Sequence, residues 1–83
     1  MKALLKYSAL RRQLEREVGP SVEMTFGELD DIIGGLPASA RRYSAWWSNE
    51  REGRHVQAHA WMDAGWRVES VNLNAERVRF TQS

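Results

Sequence analysis

Ala3, Tyr7, Leu10, Leu14 and Val18 recur at spacings of four and three residues, the apolar stripe of an amphipathic helix. The spacing predicts a helix over residues 2–17, with Lys2, Lys6, Gln13 and Arg16 outside and Gly19-Pro20-Ser21 ending it. Val22, Met24 and Phe26 then alternate with polar neighbours, the period of a short strand. Thr25 and Glu28 stand three residues apart. That is capping-box spacing, in which the hydroxyl meets an orphan amide and the carboxylate reaches back. It opens a second helix over residues 26–33, buried through Phe26, Leu29, Ile32 and Ile33, and Gly34-Gly35 ends it.

Pro37 suits the first turn of a third helix, expected from Ala38 to Trp47. A fourth, from His55 to Ala64, turns Val56, Ala60, Trp61 and Ala64 inward before Gly65. Residues 66–83 read as a hairpin. Val78 and Phe80 face one way, Arg77, Arg79 and Thr81 the other, and Asn74-Ala75-Glu76 supply the turn. In its first strand the apolar phase slips between Trp66/Val68 and Val71/Leu73, the mark of a β-bulge. The order predicts an α+β domain of winged-helix-like build. It has three to four helices, a short early strand pairing with a hairpin edge, and a C-terminal β-hairpin.

Eighty-three residues make a single domain, 1–83, with a small core. The chain has no cysteine, which removes disulfides and thiolate zinc sites and suits a reducing cytoplasm. No segment approaches the roughly 20 apolar residues of a membrane span, and the N-terminal apolar run is too short and charge-broken for a signal peptide. A cytoplasmic protein without membrane contact is expected.

Net charge is +1, but its distribution is blocky. Residues 1–20 carry five basic and two acidic side chains; residues 21–40 carry four acids and no base; residues 41–60 carry four arginines and two acids. Such blocks give a small fold a basic side and an acidic side, unless they mix into an evenly solvated surface.

The richest chemistry lies at Ser39-Ala-Arg-Arg-Tyr-Ser-Ala-Trp-Trp-Ser-Asn49. Adjacent side chains on a helix or strand diverge, so one of Trp46 and Trp47 is expected off the core, which of the two being open. Arg41, Arg42, Trp46, Asn49, Arg51, Arg54, His55, Gln57, Arg77 and Arg79 form the candidate nucleic-acid surface. Arginine neutralises phosphate or forks onto guanine, asparagine bridges adenine, and an exposed indole packs on sugar or base. Alternatively Arg41 and Arg42 pair with Glu28, Asp30 or Asp31, and both tryptophans fill the core.

His55, His59 and Asp63 share a helix face at metal-ligand spacing, but Val56 stands where a zincin motif needs glutamate. A solvated polar face explains them more simply, so no metal or cofactor is expected. Ser39, Ser44 and Ser48 lack the glycines of a nucleophile elbow. The chain also has little room for a deep small-molecule pocket, so no enzyme is expected.

The segments "TFGELDDIIG" at 25–34, "LPASARRYSAWWSN" at 36–49, "QAHAWMDAGWRV" at 57–68 and "ERVRF" at 76–80 resemble a family of small uncharacterised bacterial domains. The resemblance runs from Leu5 to Phe80 and implies a stand-alone or appended domain with no attributable catalysis. Two functions remain: a duplex-DNA-binding module, or a protein-interaction module that docks a partner or a second copy through a Trp46–Tyr43 patch rich in hot-spot residue types.

Overall fold

Phe26, Trp47 and Trp61 stack on one another from three different elements, and the rest of the chain is arranged around that stack. Phe26 and Trp47 lie 5.5 Å apart at 15°, Trp47 and Trp61 5.9 Å apart at 23°. The computed structural model describes the backbone of residues 2–6 and, in full, residues 7–50 and 56–83. The elements are α1 (Lys2–Arg16), β1 (Ser21–Thr25), α2 (Phe26–Ile33), α3 (Ala38–Arg42), a 3₁₀ turn (Ser44–Trp47), α4 (Ala58–Met62), β2 (Trp66–Asn72) and β3 (Arg77–Gln82). No helix among the described residues is long and apolar enough to cross a membrane.

The strands form one antiparallel sheet in the order β1-β3-β2. The early strand therefore pairs with the last, Val22 opposite Phe80 and Met24 opposite Val78. Val78 and Phe80 turn inward and are buried, while Arg77 and Arg79 lie on the open face, as the alternation of the hairpin requires. The expected bulge is present between Val68 and Ser70. It lets Trp66 and Val68 on one side, and Val71 on the other, face the same core despite the slipped phase.

α2 begins on the expected capping box. The Glu28 amide donates to the Thr25 hydroxyl at 3.1 Å, and the Thr25 amide donates to the Glu28 carboxylate at 2.9 Å. Gly34 ends it with φ +84°, donating its N–H to the Asp30 carbonyl. The Asp30 carboxylate then accepts the Leu36 amide at 2.6 Å, tying down the turn into α3.

Three expectations need correction. Val18 does not continue the α1 stripe: the helix stops at Arg16, the spacing ceases to apply, and Val18 is 85% exposed. The third helix does not reach Trp47. It breaks at Tyr43, which is extended at φ −126° and ψ 122°, and resumes as a 3₁₀ turn. The fourth is shorter than the stripe suggested, and Val56 ahead of it is exposed.

Candidate nucleic-acid interface

Neither tryptophan of the adjacent pair is exposed, which overturns the expectation that one ring would stand in water. Trp46 is 9% and Trp47 1% accessible. The expectation assumed one outward-facing side of a surface helix, whereas this short turn is enclosed by apolar neighbours. Trp46 meets Tyr7 of α1 edge-on at 6.1 Å, while Trp47 enters the Phe26–Trp61 stack and donates its indole N–H to the Ala40 carbonyl at 2.9 Å. Trp46 is thus a core residue and not a nucleic-acid contact.

Asn49 and Gln57 are likewise engaged within the fold. Asn49 Nδ2 donates to the Val68 carbonyl at 2.9 Å, and its Oδ1 accepts the Val68 amide at 2.8 Å and the Trp61 indole N–H at 2.9 Å. Gln57 is buried and donates to the Trp46 carbonyl at 2.8 Å. Gln57 is thus shut away from any base, and Asn49, though exposed, has its carboxamide committed to three bonds within the fold. Arg51, Arg54 and His55 lie outside the described residues.

The remaining arginines divide into two groups. Arg77 lies 3.3 Å from Glu23; Arg79 lies 4.0 Å from Glu23 and 3.7 Å from Glu69. Both belong to a mixed-charge ladder across the open sheet face. Arg41 reaches Glu76 at 3.4 Å and Asp30 at 3.9 Å. Among the described residues Arg12, Arg16, Arg42 and Arg67 have no ion-pair partner. The predicted cationic cluster is therefore partly neutralised where it was expected to be strongest.

The structure brings another set together. From Ala38 to Ala45 every residue except Ala40 is exposed, including Arg42 and Tyr43. Arg41 and Ser44 place this segment beside the hairpin. Ser44 shares an open hollow of about 560 Å³ with Ser70, Val71, Asn72, Leu73 and Asn74, and none of these lining residues is acidic. Ser70, Asn72 and Asn74 were absent from the sequence-derived set, since their nearness to Ser44 of the 3₁₀ turn follows from how the hairpin packs and has no local signal. The cue in the sequence is the placement of small residues, Ala38 and Ser39 in α3 and Ser44 and Ala45 in the 3₁₀ turn, on both sides of Arg-Arg-Tyr.

A family model described as a domain of unknown function, DUF7662, matches residues 7–83. The chain belongs to that family. No curated protein and no solved structure matches it. The domain's extent takes in the α3 segment, the tryptophan pair and the whole hairpin, so the hollow lies wholly inside it.

His59 and Asp63 approach to 3.9 Å at one end of a smaller hollow between α1 and α4. Among the described residues no group of three His, Asp or Glu side chains is placed to hold a metal.

Proposed function

We propose that this domain is a winged-helix-like module that binds duplex DNA, with the α3 segment and the tip of the β2–β3 hairpin forming the contact surface. The observation that carries the reading is that Ser44, which follows the exposed Arg42 and Tyr43 in the chain, shares a hollow lined by no acid with Asn72 and Asn74. The order of elements and the β1-β3-β2 sheet support the winged-helix assignment. In such folds a helix after a glycine-containing turn approaches the groove and the hairpin lies along the backbone.

The chemistry fits a short, end-on approach. α3 has five residues, a rise of roughly 7.5 Å at about 1.5 Å per residue, so it points into a major groove about 12 Å wide more easily than it lies along one. Small side chains at 38, 39, 44 and 45 let the backbone come close to the duplex. Arg42 is free to fork onto guanine or meet a phosphate, and Asn72 and Asn74 supply donors and acceptors to base edge or backbone.

Because Arg41, Arg77 and Arg79 are offset by neighbouring carboxylates, binding is weak and its salt dependence shallow. Neutralisation of one phosphate, by Arg42, gives a log–log slope of about −1. A fluorescence titration with a labelled duplex across a salt series tests this. No binding to any duplex at low salt would remove the proposal. A cytoplasmic setting, with no catalytic step and no cofactor, belongs to the same reading.

One observation favours a second reading, a protein-interaction module. Tyr43 is 59% exposed beside the unpaired Arg42, and both residue types are enriched in hot spots. Sedimentation decides it: a dimer that loosens in Tyr43→Ala, together with no affinity for DNA, supports docking of a second copy.

A further inference from the structure

We infer that Arg41 is a positioning residue of the proposed DNA surface, locking the hairpin tip against α3 without itself meeting phosphate. The inference rests on the DNA reading above. Arg41 gathers groups from separate elements. Its Nη1 lies 3.4 Å from Glu76 at the hairpin turn, its Nη2 3.9 Å from Asp30 of α2, and its guanidinium carbon 5.9 Å from the centre of the Phe26 ring.

Neither carboxylate is there for Arg41 alone. Asp30 also receives the Leu36 amide at 2.6 Å and so shapes the turn that leads into α3. Glu76 accepts the Phe26 amide on its carbonyl at 2.8 Å and sits at φ +55°, a conformation that side chains other than glycine seldom adopt. The residue that reverses the hairpin is therefore fixed to α2 through its backbone and to α3 through its side chain. Exposed ion pairs are individually weak, but here two of them and a ring contact meet on one guanidinium, where removing a single group loosens all three.

Arg42 is next along the same helix and points about 100° away. It has no ion-pair partner among the described residues. The two adjacent arginines thus have different tasks: Arg41 sets the gap between α3 and the hairpin, and Arg42 meets the ligand. A phosphate at Arg41 would have to displace two carboxylates; one at Arg42 displaces only water.

The test compares Arg41→Gln with Arg42→Gln, using a short random-sequence duplex across a salt series and amide spectra of the free proteins. Arg41→Gln is expected to weaken binding about fivefold at an unchanged salt slope, and to move the free-protein amide signals of residues 73–76. Arg42→Gln is expected to make the slope shallower by about one and to leave those signals in place. If Arg41→Gln flattens the slope as Arg42→Gln does, Arg41 is a phosphate contact and the inference fails. It fails equally if Arg41→Gln leaves affinity or the 73–76 signals unchanged. Wild-type protein that binds no duplex at low salt would instead remove the DNA reading itself.

Discussion

Asn49 pairs with Val68 as a neighbouring strand would, giving a hydrogen to its carbonyl and taking one from its amide through a single carboxamide. The same oxygen also receives the Trp61 indole N–H. One side chain thus closes the outer edge of β2 at Val68 and joins the segment after the 3₁₀ turn to α4. Capping an edge in this way also denies it to strand pairing by other chains.

Asn49→Ala leaves three groups without partners, one of them on an indole that is fully buried. The expected loss is about 2–4 kcal/mol of unfolding free energy, measured by urea denaturation. In Asn49→Asp the carboxylate faces the Val68 carbonyl with no hydrogen to give, so a comparable loss is expected at neutral pH, partly recovered on acidification.

The tryptophan pair is expected to behave as core. Trp47→Phe keeps an aromatic ring between Phe26 and Trp61 but gives up the bond to the Ala40 carbonyl, for about 1–3 kcal/mol. Trp46→Ala opens a cavity against Tyr7 and Trp47 and is expected to lose about 3–5 kcal/mol. Native fluorescence should be shielded from acrylamide, since all four indoles are buried. Strong quenching without unfolding would contradict this packing.

Much of the fold was legible because its signals are local. Thr25 and Glu28 announce a helix start at fixed spacing, Gly34 its end, and the slipped phase from Val68 to Val71 the bulge. The tryptophan pair was not legible. A rule about diverging neighbours assumes one wet side, and only tertiary structure reveals that Tyr7 and Trp61 pack against the rings of the turn. The candidate site was half legible for the same reason. Arg42 and Tyr43 stand out in the sequence, but residues remote along the chain decide that Glu76 occupies Arg41 and that Val68 occupies Asn49.

Helix α2 provides a contained test of local signals. Thr25→Ala removes the hydroxyl that receives the Glu28 amide, for about 1 kcal/mol. Gly34→Ala meets no neighbouring atom within 4 Å, but its φ of +84° resists a side chain, for a loss of about 1 kcal/mol. Thermal unfolding of the two variants should show similar shifts from these different causes.

Burial raises the Tyr7 hydroxyl above its ordinary value, because desolvation disfavours the phenolate. The fold therefore binds this proton more tightly than the unfolded chain does. The resulting stability is fully present below about pH 10, where the unfolded phenol titrates, and is lost as pH rises through the folded value. Denaturation midpoints measured between pH 8 and pH 11 should fall at the alkaline end, and Tyr7→Phe should flatten that fall.

The proposed surface is tested most directly by mapping amide shifts of the folded domain against a random-sequence duplex at low salt. Shifts gathered at residues 38–45 and 70–74, and abolished by Arg42→Ala in a protein that stays folded, are the predicted result. It would show that the exposed run on α3 and the hairpin tip grip one ligand together. A spectrum left unmoved by excess duplex, or moved only along α1 or the open sheet face, would contradict it.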